Sequence, residues 1–560
     1  MEPVKINICR IVLSTVAFFW CMEAGAQSAA VQKAAKSVFT LTTFKSDGSL
    51  IASSHGVFVG NNGEAVSSWT PFVGADSAVV IDANGHKMAV DVMTGTNEIY
   101  DICKFRVKGK TVAAKMAATS AAVNSKVWLV GYSLKKPEII PMNVLSVEKF
   151  MDRYNYYIFT GTAPENTVSC PFVNQNGEVI GLLQQSATSS GIHATDVRFA
   201  DDFKVQNGLD VSNKVIQQTG IRLEMPHNEE QALVLLVMSN QGNPKQYRQY
   251  VDDFIHLFPT SVDGYRSLAQ IEVTEGKLQA ANDIMQTAIA KVTKKDEAHS
   301  EFAKIIYQEQ IYRRDSTFTL WTLDKALDEA QKAYSINPQP VYLHQQAQII
   351  FAKGDYRQAL NIFTELTKTP LRNSELYFEA AQCKIQLKAP HVEVMELLDS
   401  AIAACPKPLT NISAPYFLAR GAAYDDAGEY RKALVDYNQY DSLMYGRADY
   451  TFYYARYKCE LKLHQYQQAL NDIAHVALLN RQEPTYLAEL SSLQLRVNRY
   501  DDAIATADLC IQLEPTYTDP YIIKGLALMQ KGDKDEGRKV LGKAKELGDS
   551  RAQGYLDKYK

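Results

Sequence analysis

Acyl transfer near neutral pH needs a hydroxyl or thiol nucleophile and a side chain able to take its proton, for which imidazole is best matched. Within residues 1–205 the histidines are His55, His86 and His193. His55 immediately precedes the strand-like run that opens at Gly56, and His193 falls on a late strand-like run. All three read as surface or strand-packing residues. Ser169 and Cys170 stand side by side as possible nucleophiles, with no obvious base in the sequence. No phosphate-cradling glycine loop, Rossmann fingerprint or HExxH pair occurs, which disfavours nucleotide, nicotinamide and metalloprotease chemistry. No cofactor and no metal are expected.

The elements that must position these residues read as β. Short runs rich in Val, Ile, Phe and Thr alternate with Gly, Asn and Asp turns: Ser37–Phe44, Gly56–Gly60, Ala78–Asp82, Ile102–Val107, Lys126–Gly131, Tyr156–Gly161 and Glu178–Leu183. Asn61-Asn62-Gly63 and Asn84-Gly85 supply turns that tolerate positive φ. Regular spacing with few helical stretches predicts a closed or sandwich-like β domain.

Three segments carry a resemblance. They are Gly56–Gly63 continuing to Val66–Ala75, then Tyr100–Val107, then Asn166–Gly181. In order and spacing they resemble the trypsin-like serine peptidases, especially the bacterial periplasmic branch, most closely from Pro171 to Gly181. The resemblance implies an all-β double barrel. It also implies three catalytic positions, which here are Thr70 for histidine, Asp101 for aspartate and Val168 for serine. The glycines that flank the serine in that family are Asn166, Ser169 and Cys170 here. Only the aspartate is kept. A valine has no nucleophile, a threonine hydroxyl is no base, and side chains at Ser169 and Cys170 oppose a tight glycine-rich oxyanion loop. Loss of the triad alone removes about 10⁴–10⁶ in rate. The implied domain is therefore an inactive homologue of a serine endopeptidase, with Asp101 structural.

Beyond about Phe203 the texture becomes helical. Gly354-Asp-Tyr-Arg-Gln-Ala-Leu360 recurs as Gly428–Leu434, His464–Leu470 and Asn498–Ile504, with a last copy at Gly532–Arg538. The small residues Ala433, Ala469, Ala503 and Gly537 are spaced by 36, 34 and 34 residues. These copies resemble the tetratricopeptide repeat (TPR), about eight units in all. The resemblance implies an all-α solenoid whose small residues, among them Ala347, Ala381, Gly421 and Gly525, let paired helices approach closely. Tyrosines just after the turn, at Tyr356, Tyr430, Tyr466 and Tyr500, fill the space between them. Register then places His344, Phe378, Tyr454, Lys458, Lys462 and Arg496 on the groove face built by first helices. The three cations would favour an acidic or C-terminal peptide segment, or would simply be solvated.

Composition is that of an ordinary globular protein, with 46% hydrophobic and 22% charged residues. A formal charge of −4 argues against general nucleic-acid binding, which needs a basic surplus. The N-terminus carries Lys5 and Arg10, an apolar run from Ile11 to Met22, and Ala24-Gly25-Ala26. That order predicts a secretory signal peptide, with an uncleaved anchor as the alternative. No later stretch is apolar enough to span a membrane. Cys103 and Cys170 are left open as a disulfide pair, and Cys510 reads as a core thiol.

The expected divisions are a signal peptide at 1–26, a degenerate peptidase domain at 30–205 and a helical connector or irregular first repeat at 206–258. Repeats follow at 259–549 and a tail at 550–560. The whole reads as an exported scaffold of the periplasm or cell envelope that binds proteins or peptides without catalysis. The alternatives are a divergent serine endopeptidase and a docking component of a secretion or surface complex.

Overall fold

The computed structural model describes residues 29–133, 136–184, 191–313, 315 and 317–559. The expected signal peptide lies outside the described residues.

The alternating pattern of the N-terminal part folds into strands that bury every second side chain, as in β1 (Val38–Phe44). With β2 (Leu50–Phe58), β3 (Glu64–Ser67), β4 (Ser77–Ile81), β5 (Lys87–Asn97) and β6 (Ile102–Val107) it closes a barrel in the order β1-β2-β3-β6-β5-β4. A second closed barrel contains β7 (Lys126–Ser133), β8 (Lys136–Phe150), β9 (Tyr154–Phe159), β10 (Pro171–Val173), β11 (Val179–Gln184) and β12 (Ile192–Asp196), in the order β10-β11-β12-β9-β8-β7. The pairings within both are antiparallel. Gly63 and Gly85 sit at φ 95° and 87°, the left-handed geometry their Asn-Gly turns require.

Phe39, Phe58, Phe72 and Phe105 fill the first barrel. The stacked rings of Phe159 and Phe172, 3.9 Å between centroids, fill the second. A separate seam joins Val38, Val57 and Val66 of the first barrel to Trp128, Val130 and Val173 of the second. It also takes in Val31, Ala34 and Ala35 from a short helix, α1 (Ala29–Ala35).

The stretch after the barrels is more than a connector. Ile216, Ile221 and Leu223, then Leu235 and Leu236 of α2 (Glu229–Ser239), then Tyr250 and Phe254 of α3 (Pro244–Leu257) belong to the same apolar cluster as the first barrel's phenylalanines. Buried Arg222 pairs with Asp91 of β5 at 2.9 Å and with Asp253 of α3. A buried guanidinium held between two carboxylates anchors α3 to the barrel wall. Helices α4 (Val262–Thr274) and α5 (Leu278–Lys291) complete this first compact unit, which ends at Lys294.

The second unit, Lys295–Lys560, has no strand among its described residues. Its helices come in antiparallel pairs: α6 (Lys295–Gln308) with α7 (Leu323–Ile336), α8 (Pro340–Ala352) with α9 (Tyr356–Leu366), and α10 (Ser374–Gln386) with α11 (His391–Ala403). Next come α12 (Ala414–Asp426) with α13 (Tyr430–Met444), α14 (Tyr450–Lys462) with α15 (Tyr466–Leu479), α16 (Pro484–Arg496) with α17 (Tyr500–Leu513), and α18 (Asp519–Lys531) with α19 (Lys534–Glu546). A last helix, α20 (Ser550–Lys558), follows within the segment expected to be a tail.

The turn inside each pair from α8 onward passes through the left-handed region, at Gly354, Lys388, Gly428, His464, Asn498 and Gly532. One backbone geometry therefore serves all six pairs whether or not glycine is present. The small residues act as expected. A Cβ on Gly421 would lie 2.8 Å from the Tyr437 ring, and one on Gly525 would lie 2.7 Å from Leu541. Within two pairs a first-helix arginine grips a second-helix aspartate with two donors: Arg420 on Asp436 at 2.7 and 2.7 Å, and Arg456 on Asp472 at 2.7 and 2.9 Å.

Candidate functional site

β3 runs into a short helical turn that Thr70 opens, with Pro71 fixing its first φ. Asp101 stands just ahead of β6 with φ 42°. The fold thereby sets Thr70 on Asp101: its backbone N–H donates to Oδ1 at 2.7 Å and its hydroxyl to the same atom at 2.9 Å. The carboxylate accepts both, so the threonine hydroxyl is used as a donor and takes no proton. Barrel two braces this corner. Gln184 Nε2 donates to the Asp101 carbonyl at 3.3 Å, and Thr195 Oγ1 to the Tyr100 carbonyl at 3.2 Å.

Val168 and Ser169 connect a short turn at Glu165–Thr167 to β10. Ser169 is fully buried and adopts φ 65°. Its Cβ is accommodated at that left-handed φ. Two hydroxyls hold it: Ser54 Oγ lies 2.9 Å and Ser68 Oγ 2.5 Å from Ser169 Oγ, and both partners are buried. The Ser169 amide donates to the Leu183 carbonyl and the Cys170 amide to the Thr167 carbonyl, so both point into protein. Because Ser68 contacts Ser169, the segments carrying Thr70 and Val168 converge.

Cys170 and Cys103 are both fully buried and free, and they lie in different apolar clusters. Burial, with a smaller contribution from Glu138, pushes the Cys170 thiol far above its ordinary range. Burial, aided by Asp101, does the same to Cys103. Thiols in that condition stay protonated and unreactive.

His55 lies within β2 rather than just before a strand. Its half-buried imidazole reaches the Val168 backbone, on the loop that leads into β10. Burial lowers its pKa, against the opposing effects of the Val168 contact and the Glu138 charge. Side chains alternate along a strand, so Ser54 and His55 leave β2 on opposite faces. Ser54 engages Ser169 on one face while His55 meets the Val168 main chain on the other. The pairing spans 113 positions, and no local pattern announces it. His193 stacks on Tyr156 across β12 and β9, with centroids 5.6 Å apart.

The six groove candidates occupy first helices. His344 Nε2 lies 2.6 Å from Glu379 Oε2, one repeat further on. Burial depresses this imidazole, but the Glu379 hydrogen bond and charge outweigh it and leave the pKa raised. Phe378 meets Tyr416 edge-on at 5.2 Å. Tyr454 donates to Glu489 at 2.8 Å, and burial together with that bond pushes its phenol up to about 12. Lys458 lies 4.7 Å over the Tyr454 ring, and Arg496 lies 5.9 Å from the centre of the Tyr466 ring. Burial, then the Asp426 charge, raises the Asp425 carboxyl, with Tyr437, Lys458 and Lys462 opposing. Lys458, Lys462 and Arg496 remain exposed. Glu379 and Gln348, which the sequence reading missed, join the His344 cluster. The available signal was the repeat period, since Glu379 lies 35 residues beyond His344.

No helix among the described residues is long and apolar enough to cross a membrane. No protein-family model matches the chain, and no curated protein matches it. Among solved structures it is similar to a serine endoprotease from Yersinia pestis, with 16% identity over 34% of this chain and 65% of that one, and a TM-score of 0.27. The chain thus spans just under two thirds of that protein's length. The fold stands on the protein's own barrels and helices: two closed six-stranded barrels, with a helical repeat-like region after them.

Proposed function

We propose that this chain is a non-catalytic, exported scaffold that binds protein or peptide segments. In this reading the barrels descend from a trypsin-like peptidase, and the helix pairs are tetratricopeptide repeats that offer a groove. The observation that carries the reading is the Thr70–Asp101 pair. Where a general base would accept a proton, a hydroxyl donates one to the carboxylate at 2.9 Å. The repeat assignment is supported by the spacing of the left-handed turns and by the close approach at Gly421 and Gly525. Exposed Lys458, Lys462 and Arg496 on first helices favour an acidic or C-terminal peptide. The cell envelope is the compartment that the N-terminal sequence suggests.

One observation favours a second reading, a divergent endopeptidase: His55 lies against the loop that bears Ser169. Labelling of the purified chain with fluorophosphonate and haloacetamide probes separates the two. The scaffold reading expects no specific labelling in the barrels. Labelling that Ser169→Ala or Cys170→Ala abolishes would establish the hydrolase instead. The groove is checked by fluorescence anisotropy with an acidic C-terminal peptide. Lys458→Glu combined with Arg496→Glu should weaken binding by about tenfold or more.

A further inference from the structure

The first-helix face of α8 and α10 carries a donor set that a hydrogen bond alone does not account for. His344 on α8 presents Nε2 toward α10, where Glu375 and Glu379 stand one turn apart on the same side. One ligand atom from each of the three lies within 4.8 Å of the others. Two carboxylates at that spacing repel each other and destabilise a bare helix, which gives a shared cation something to offset.

The surroundings orient the donors as a second shell orients metal ligands. Gln348 Nε2 donates to Glu379 Oε1 at 2.7 Å, which leaves Oε2 turned onto the imidazole. The Phe363 ring meets His344 edge-on at 5.9 Å and fixes the plane of the imidazole. The side chains of His344 and Glu379 are 13% and 17% exposed, while Glu375 is exposed at the rim. The niche is therefore mostly dry yet open on one side.

We propose that His344, Glu375 and Glu379 form a binding site for a divalent transition-metal ion, with Zn²⁺ the best match. One imidazole nitrogen with two carboxylate oxygens suits Zn²⁺ and its neighbours better than Mg²⁺ or Ca²⁺, which prefer all-oxygen shells. A tetrahedral ion with bonds of about 2.0–2.2 Å holds its ligand atoms about 3.3 Å apart. The 2.6 Å His344–Glu379 contact opens slightly as the ion takes the place of the shared proton. A fourth position stays free for water or for a carboxylate from outside. The ion would tie α8 to α10, joining two successive helix pairs through their first helices.

The test is titration of the full chain with ZnCl₂ alone, followed calorimetrically and by thermal melting. Expected is one equivalent of bound Zn²⁺ with a rise in Tm, and preference for Zn²⁺ over Mg²⁺. Glu375→Gln and His344→Ala should each weaken uptake by at least about tenfold and abolish the Tm rise. His344 is half-buried, and if its replacement fails to fold, the rim residue Glu375 decides the matter. Absence of Zn²⁺ uptake, unchanged affinity in either folded variant, or preference for Mg²⁺ would overturn the site and leave His344–Glu379 a plain hydrogen bond.

Discussion

The three buried hydroxyls of Ser54, Ser68 and Ser169 form a polar cluster at the loop between Val168 and β10. Ser169 bonds both of the others, so removing it takes a partner from buried Ser68 and leaves Ser54 with a long contact to the His55 carbonyl. Ser169→Ala should destabilise the chain by about 1–3 kcal/mol in urea denaturation, without altering labelling by an activity probe. Ser169→Gly should lose about 1 kcal/mol less, because glycine accepts φ 65° without strain. If the two variants are equally stable, the strain argument fails. At this scale the sequence offered Val168 through the register of Pro171 to Gly181, and Thr70 and Asp101 through two other segments, which the structure joins by the Thr70–Asp101 hydrogen bonds. It was silent about His55, whose contact with Val168 depends on strands far apart in the chain.

Helix pairing was legible because its cause is local: a small residue where helices cross, and a left-handed turn between them. The structure extends that logic to Lys388, His464 and Asn498, which take the same φ without being glycine. Two glycines, one on each helix of a pair, separate close packing from helix propensity. Gly525→Ala places a methyl 2.7 Å from Leu541 and should cost about 1–3 kcal/mol in thermal unfolding. Gly542→Ala on α19 meets nothing within 4 Å and should gain about 0.5–1 kcal/mol. Buried Glu460 adds a pH dependence to α14. Burial, then the charge of Asp472, pushes its carboxyl up to about 8 despite Arg456 nearby. The unfolded chain ionises this group from about pH 4.5 upward, whereas the folded chain keeps it protonated to about pH 8. Its contribution to stability is therefore present below about pH 4.5 and is lost progressively as pH rises to about 8. Glu460→Gln, which copies the neutral form and matches Gln494 one repeat later, should become more stable than the parent as pH rises. The advantage should reach about 1–3 kcal/mol near pH 8 and then level off. A constant difference across that range would refute the argument. Strand β8 was harder to read. Its Pro137 and Pro141 interrupt the pattern, yet both fit the hairpin with β7.

At the scale of the whole molecule, the sequence located the change from β to α but not the compact division, which falls after Lys294. Composition changes near Phe203, whereas the first barrel's core continues through Ile216 to Phe254. Texture marks secondary structure, and a domain ends where apolar burial ends. Arg222→Ala leaves Asp253 without its partner and Asp91 with Lys108 at 3.4 Å, and should cost about 1–3 kcal/mol. Limited proteolysis should then cut between residues 206 and 258, a region the parent protects. A fragment ending at 205 should aggregate, whereas one ending at 294 should stay monodisperse in size-exclusion chromatography.

That shared core also bears on biogenesis. As the chain emerges from the ribosome, the first barrel's strands appear before the second's, but the apolar wall they rest on is made roughly a hundred residues after β6. The second barrel, whose own cluster lies between Ala117 and Ala194, has everything it needs earlier. The hemisphere translated first therefore lacks part of its apolar packing until Phe254 has been made, after every residue of the second barrel's cluster is present.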